Sequence, residues 1–387
     1  MKVLKPALIA GFIFFMQSVC CQPDLKIIPA AERTDNYFLQ LLNKKVALVA
    51  NQTSRIGNVH LLDTLLRSGI NVRKIFCPEH GFHGNISAGE RVKNDIDPST
   101  GIRIISLYGK HNKPRPSELS DVDIVLFDIQ DVGVRFYTYL STLNYVMEAC
   151  AENGKKLILL DRPNPNGFYI DGPVLDLKYK SFAGLNPVPI VYGMTIGEYA
   201  LMLNGEKWLK DGVHCNLVVI ACENYTHQSK YKLPVNPSPN LTNMQSIYLY
   251  PSLALFEGTS INVGRGTDFP FQVFGNPIMQ NCSFSYIPKS LPASKFPLHK
   301  DTLCYGTDLR KYSFPDSNKL TLKWLIFAYK NCQAKDSFFN NYFYNLSGNN
   351  ILVNQIKSGL AEEEIRKSWQ QDIEKFKVIR SKYLIYK

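Results

Sequence analysis

The sequence predicts an α/β protein built on a Rossmann-like parallel sheet, followed by a region of mixed α+β pattern. Three observations carry this. Short apolar runs alternate with helix-length stretches between about residues 45 and 222. Polar residues cluster directly after those runs. Beyond a Pro- and Asn-rich stretch, Pro234-Val235-Asn236-Pro237-Ser238-Pro239-Asn240, the alternation gives way to an aromatic-rich, irregular pattern.

In chain order, Lys2 and Lys5 followed by the apolar stretch Leu8 to Met16 and then small and cysteine residues read as a secretory signal, too short for a membrane span. Residues 1–21 are therefore expected to be a signal peptide. Cys20 or Cys21 is a candidate site for a lipid anchor to the membrane, although Gln17-Ser18-Val19-Cys20 is a poor lipoprotein box. Either way the protein is expected to be exported, periplasmic or associated with the cell envelope. Val46 to Ala50 reads as a buried strand, Leu61 to Arg67 as a helix, Val72 to Cys77 as a second strand and Ile102 to Leu107 as a shorter third. Asp123 to Phe127 and Leu157 to Leu160 are near-continuous apolar runs, the pattern of strands covered on both faces. Thr138 to Asn153 has helical length and stops before Gly154. Pro and Gly punctuate residues 163 to 193 as loops, Thr195 and Glu198 form a capping box for a helix to Leu203, and residues 216 to 222 are the last strand. The expected layout is a domain over residues 25–233 and a second over 234–387, closed by an amphipathic helix from Glu362 to Arg380.

The chain has 387 residues, 45% hydrophobic and 12% aromatic, enough to bury a large core. Its net charge of +11 comes from dispersed Lys and Arg, with no basic run and no nucleic-acid-binding signature, so nucleic acid is not an expected partner. Behind the signal lie Cys77, Cys150, Cys215, Cys222, Cys282, Cys304 and Cys332, an odd set without CxxC spacing. That pattern points to mostly buried thiols, with room for one or two bridges. Dinucleotide, Walker and nucleophile-elbow glycine patterns are absent.

Candidate chemistry sits where an open sheet puts it, past the carboxyl ends of strands. There stand Asn51-Gln52-Thr53, Pro78-Glu79-His80-Gly81, Asp128-Ile129-Gln130-Asp131 and Asp161-Arg162-Pro163-Asn164. Glu79, between Pro78 and a residue pair ending in Gly81, is placed to donate or accept a proton, with a plain surface acid as the alternative. Glu90 and Asp128 are further carboxyls, and glycoside hydrolysis usually needs two, about 5 Å apart for retention and about 6.5–9.5 Å for inversion. Arg135 either neutralises Asp128 and Asp131 or holds a substrate carboxylate, with Tyr137 beside it. Asp161, Arg162 and Asn164 carry the same ambiguity, turn formation being the plain alternative for Asn164. Glu257 and Arg265, in Phe256-Glu257-Gly258-Thr259 and Gly264-Arg265-Gly266-Thr267, form either a ligand-facing pair or a salt-bridged turn. His80 with Asp128 and Asp161 could be drawn as a metal site, but no HExxH spacing supports it. No metal and no cofactor are expected.

The same motifs, together with Ser106-Leu107-Tyr108-Gly109, Arg135-Phe136-Tyr137-Thr138-Tyr139, Asp171-Gly172-Pro173 and the final Arg380-Ser381-Lys382-Tyr383-Leu384-Ile385-Tyr386, resemble the exo-β-N-acetylmuramidase family over roughly residues 40 to 387. The resemblance implies a smaller C-terminal domain and a cleft between the two domains, with the glutamate of the Pro-Glu-His-Gly motif, Glu79, as catalytic residue. It implies release of N-acetylmuramic acid from the non-reducing ends of peptidoglycan fragments and muropeptides in cell-wall turnover and recycling. Asn51, His80, Asp131, Arg135, Tyr137, Asp161, Arg162, Asn164, Glu257 and Arg265 are the expected substrate contacts, Arg135 and Arg265 facing the lactyl carboxylate. A metal-dependent peptidoglycan amidase and a non-catalytic peptidoglycan-binding protein are the competing readings.

Overall fold

A computed structural model describes residues 25–314 and 319–386. The signal-peptide and lipid-anchor expectations concern residues 1–21 and lie outside the described residues.

Seven strands form the main sheet: β1 (Lys45–Ala50), β2 (Asn71–Cys77), β3 (Asp95–Ile96), β4 (Arg103–Ser106), β5 (Ile124–Asp128), β6 (Lys156–Leu160) and β7 (Asn216–Ile220), in the spatial order β7-β6-β5-β1-β2-β4-β3. All neighbours are parallel except β3, which runs antiparallel to β4 at the edge. The near-continuous apolar runs of β1, β5 and β6 follow from coverage on both faces. Alternate residues serve opposite layers: Val46, Leu48 and Leu126 pack with Leu61 and Leu65 of helix α1 (Leu61–Arg67), while Ala47, Val49, Val125 and Phe127 pack with Leu140, Leu143 and Met147 of α2 (Tyr139–Glu152). Each fully buried Leu on these faces contributes about 2 kcal/mol from burial. Helix α3 (Ile196–Gly205) begins with the expected reciprocal cap, the Glu198 amide donating to Thr195 Oγ1 at 3.3 Å and the Thr195 amide donating to Glu198 Oε2 at 3.0 Å.

One feature departs from expectation: residues 163–193 are not loop alone, because Asp171–Val174 and Pro189–Val191 pair as a two-stranded antiparallel ribbon. The seven cysteines of the described residues are free thiols, six of them buried, in line with the expectation of mostly buried thiols.

The later part holds a three-stranded antiparallel sheet of β8 (Val273–Asn276), β9 (Phe284–Tyr286) and β10 (Cys304–Asp308), with β10 central. Around it stand α4 (Met244–Leu253), α5 (Lys323–Asn331), α6 (Tyr342–Ser347), α7 (Ile351–Lys357) and α8 (Glu362–Ser381). On α8, Ile365, Trp369, Ile373 and Phe376 are buried at three- and four-residue steps, as the sequence period requires. One hydrophobic core runs from α2 and α3 through α4 into α8, so the two parts are packed as one body. The chain then returns to the first part: the Tyr386 phenol donates to Asp161 Oδ2 at 2.6 Å and the Ile385 amide to Glu198 Oε1 at 2.9 Å.

Candidate active site

The chain leaves β1 toward β2 and β4 on one side, then crosses back to β5 on the other. The crevice of a doubly wound sheet is therefore expected between the loops after β1 and β5. In this protein that crevice is filled. Asp128 is fully buried and receives a bidentate pair from Arg162, Nε to Oδ1 at 2.6 Å and Nη2 to Oδ2 at 2.8 Å. The Ser54 hydroxyl donates to the Asp128 carbonyl. Asn51 Oδ1 accepts from both the amide and the hydroxyl of Thr53, at 2.9 and 2.6 Å, and Thr53 Oγ1 in turn accepts from the Gln130 amide at 3.0 Å. These loops close on one another instead of on a ligand.

The open space lies to one side, past β2 and β4, as a cavity of about 430 Å³ between the sheet's loops and the later part of the chain. That is within the roughly 300–1,000 Å³ typical of small-molecule sites. The loop after β2 supplies its acid. His80 and Gly81 are both left-handed, with φ of 71° and 77°, and the Gly81 amide donates to the Pro78 carbonyl at 3.1 Å, so the chain turns sharply just past Glu79. A left-handed histidine costs of order 1 kcal/mol, a strain concentrated beside the cleft acid. Gly81 packs closely, since a Cβ there would meet Ile86 at 3.0 Å.

Half-buried Glu79 accepts from the Gly89 amide at 3.0 Å on Oε1 and from the Thr138 hydroxyl at 2.7 Å on Oε2. Neither donor carries charge, so the carboxyl is oriented without being neutralised. Tyr108, Tyr250 and Tyr342 line the same cavity, and burial first, then the Glu79 and Glu257 carboxylates, push all three phenols well above their ordinary range. They stay protonated and available as donors. His80 is held below its ordinary pKa by burial, against the opposing pull of Glu79. As a neutral ring its Nδ1–H donates to the Ile86 carbonyl at 2.8 Å, which leaves Nε2 an acceptor.

From the other side come Glu257, at the end of the 3-10 turn after α4, and Arg265, whose Nε and Nη2 both donate to Glu257 Oε1 at 2.7 and 2.6 Å. The guanidinium also lies 5.0 Å from the centre of the Phe271 ring. The flanking glycines serve packing and not ligand approach. A Cβ on Gly264 would stand 2.8 Å from the Phe269 carbonyl, and one on Gly266 2.5 Å from that of Lys289. Glu90 lies on the cavity wall and pairs with Lys295 across it at 2.9 Å. Tyr137 lines the wall, its hydroxyl bound to the Pro237 carbonyl at 2.9 Å.

Thus Glu79, His80, Glu90, Tyr137, Glu257 and Arg265 converge on one cavity, and the other expected residues do not line it. Asp128, an expected catalytic carboxyl, and Arg162 are corrected to a buried ion pair. Arg135 is corrected from a lactyl contact: it is 2% exposed, and its guanidinium donates to the carbonyls of Pro173, Val188 and Leu346 at 2.8, 2.9 and 2.7 Å. Nor does it neutralise Asp131, which is buried on the Gly133 amide and the Tyr192 hydroxyl and pushed up to about 6 by burial. Asp161 is likewise pushed up to about 6, burial outweighing donors from Thr195, Tyr386 and Gly197. Asn51 belongs to the closed crevice, and Asn164 makes a turn, its Oδ1 accepting from the Asn166 amide at 2.8 Å. A metal set of His80, Asp128 and Asp161 does not assemble, because each aspartate is committed elsewhere.

Sequence reasoning missed Tyr108, Thr138, Tyr250, Lys295, Phe296 and Tyr342, which also line the cavity. Tyr108 follows β4 directly, so the strand-end rule that singled out Glu79 applied to it equally. The segment from Ser294 to Leu298 and Tyr342 lie where the sequence has no regular pattern.

A parallel-sheet domain fused to a smaller α+β part, with one uncompensated carboxyl, neutral phenols and a carboxylate–guanidinium pair around a sugar-sized cavity, is the architecture of an α/β glycoside hydrolase. The family descriptions "Exo-beta-N-acetylmuramidase NamZ, N-terminal" and "C-terminal" match residues 46–245 and 248–386. The chain belongs to this exo-β-N-acetylmuramidase family. It is 36% identical over 376 residues to the peptidoglycan β-N-acetylmuramidase NamZ of Bacillus subtilis strain 168, covering 91% of this chain and 89% of that protein. Two crystal structures of DUF1343 family proteins from Bacteroides fragilis NCTC 9343 have the same fold. One is 47% identical with a TM-score of 0.87 over 94% of this chain and 99% of that one; the other is 29% identical with a TM-score of 0.79 over 93% and 99%.

Proposed function

We propose that this protein is an exo-acting glycoside hydrolase that releases N-acetylmuramic acid from the non-reducing end of peptidoglycan fragments, with Glu79 as the acid that protonates the glycosidic oxygen. The observation that carries the reading is the setting of Glu79: a half-buried carboxyl in a closed-sided cavity, oriented by Thr138 and Gly89 and paired with no cation. Departure of the protonated leaving sugar needs a second group to stabilise the sugar cation or activate water. Glu90 lies on the cavity wall but is held by Lys295. Glu257 keeps Oε2 outside its bonds with Arg265, and its charge and that of Glu79 act on the same phenols of Tyr250 and Tyr342. We assign Glu257, or the substrate's own acetamido group held by it, to this second role. Of the two arginines expected at the lactyl carboxylate, Arg265 alone lines the cavity, and we assign that contact to it.

We further propose export to the cell envelope, on the positive and apolar pattern of residues 1–21, and service in wall recycling. Cell fractionation with amino-terminal sequencing of the mature chain tests the export.

The direct test is hydrolysis of a chromogenic N-acetylmuramic acid glycoside beside its N-acetylglucosamine counterpart, with and without chelator. Muramide-selective release that survives chelation and drops at least about a thousandfold in Glu79→Gln is the expected result. Loss on chelation would favour an amidase, and binding without turnover a carrier.

A further inference from the structure

A second concavity of about 650 Å³ opens beside the cleft and shares two residues with it, Gly89 and Tyr108. These are not incidental walls. The Gly89 amide is the donor to Glu79 Oε1, and the Tyr108 phenol is raised in part by the Glu79 carboxylate. A ligand with its scissile bond at Glu79 therefore has a continuous path past both residues into this groove.

The groove is built from the segment after Glu90 and from the turn after β4, and its charge is of one sign. Arg91, Lys93, Lys110 and Arg115 line it, and no aspartate or glutamate does. All four are exposed, and among the described residues none of them takes part in an ion pair. Other exposed lysines of the described residues, such as Lys44, Lys178 and Lys230, are also unpaired, but they do not line this concavity, and several basic side chains elsewhere are neutralised. Lys74 sits on Asp121, Lys113 on Glu148 and Glu152, Lys295 on Glu90, and Arg310 on Asp308. Four unpartnered cations around one concavity hold a positive potential that an anionic ligand would relieve.

We propose that this groove is a second substrate subsite, which binds carboxylates carried beyond the sugar being released. The inference rests on the muramidase reading of the cleft and names what else that substrate must present. Two sources have the required chemistry: the lactyl carboxylate of the next muramic residue along a peptide-free glycan, and the carboxylates of a peptide stem on the terminal muramic residue, whose own lactyl carboxyl is then an amide and makes no ion pair with Arg265. In either case Arg91, Lys93, Lys110 and Arg115 act on affinity for extended substrates and not on bond cleavage.

The test compares wild type with Arg91→Glu/Lys110→Glu, both positions exposed and outside the cleft. Three substrates are used: the peptide-free disaccharide, the peptide-free tetrasaccharide and the stem-bearing disaccharide. The expected result is unchanged kcat/KM on the peptide-free disaccharide and a KM raised about tenfold, at constant kcat, on an extended substrate. In wild type the advantage of that substrate should shrink as salt is raised. Loss on the tetrasaccharide alone assigns the groove to lactyl carboxylates, loss on the stem-bearing disaccharide alone to the peptide, and loss on both to either. Equal loss on all three substrates, or loss on none, overturns the subsite. Failure of wild type to cleave even the peptide-free disaccharide overturns the muramidase reading, and the subsite with it.

Discussion

The loops after β1, β5 and β6 and the loop after β2 are built from the same letters, carboxylates, amides and a basic residue past the ends of parallel strands, yet they do opposite things. In the first group the carboxyls are closed inside the protein: Arg162 binds both oxygens of Asp128, Asp131 and Asp161 are buried on neutral donors, and Asn51, Thr53 and Gln130 bond one another. In the second, Glu79 meets only a hydroxyl and an amide and faces open space. A polar cluster at a strand end is therefore a scaffold when its carboxyls are buried among the protein's own donors and a reacting site when one faces an open cavity without a cation. The protein has filled the switch-point crevice with its own side chains and moved the cavity one strand pair toward the sheet edge.

That contrast predicts a double dissociation. Glu79→Gln keeps the shape, its amide oxygen accepting from the Gly89 amide and its NH2 donating to the Thr138 hydroxyl oxygen, so its thermal midpoint should stay near wild type while muramide hydrolysis falls at least about a thousandfold. Arg162→Ala strands Asp128 in the interior, and breaking a buried pair by removing one partner costs about 3–5 kcal/mol. Denaturant unfolding should show that loss, and the molecules still folded should keep their kcat. If Arg162→Ala instead left stability intact and abolished turnover, the scaffold assignment would fail.

A subtler version concerns Asp131, buried and raised from 3.8 to about 6. A carboxyl with a raised folded-state pKa holds its proton more tightly when folded. Its stabilising contribution is complete below about pH 4 and is lost as pH rises through about 6, at most about 3 kcal/mol. Asp131→Asn removes that ionisation and can still accept from the Gly133 amide and the Tyr192 hydroxyl. Relative to wild type, the variant should gain stability as pH goes from 4 to 7. Parallel melting curves for the two proteins across that range would refute the raised pKa.

How much of this was legible in the sequence follows from the range of the interactions. The six parallel strands of the main sheet, α1, α2, α3 and α8 were readable because hydrophobic period and capping are local, whereas β3, the 171–191 ribbon and β8 to β10 were not. Glu79 was readable because Pro78 and Gly81 bracket it just past a strand. The burial of Arg135 was not, since its partners are backbone carbonyls at 173, 188 and 346, and carbonyls leave no mark in a sequence. Asp128 and Arg162 could not be told from a catalytic pair until their separation was known, as identical letters describe both. In the later half of the cleft, Lys295 and Phe296 come from a segment with no regular element, and Tyr342 opens α6, a helix of six residues too short to leave a hydrophobic period in the sequence.

The smallest effect is expected at Glu90, which separates pairing from position within the cleft itself. It stands on the cavity wall, as Glu79 does, but its carboxylate is engaged by Lys295 and its side chain is 31% exposed. An exposed pair of this kind contributes at most about 1 kcal/mol. If pairing is what withdraws a carboxyl from chemistry, Glu90→Gln should keep kcat within about threefold and change chiefly KM, through a loosened Ser294–Leu298 segment at the cavity mouth. If position alone qualified a carboxyl, Glu90→Gln would cost as much as Glu79→Gln. Steady-state kinetics of the two variants on one chromogenic muramide decides between them. A thousandfold loss at Glu90 would make it the missing second catalytic group and return Glu257 to substrate binding.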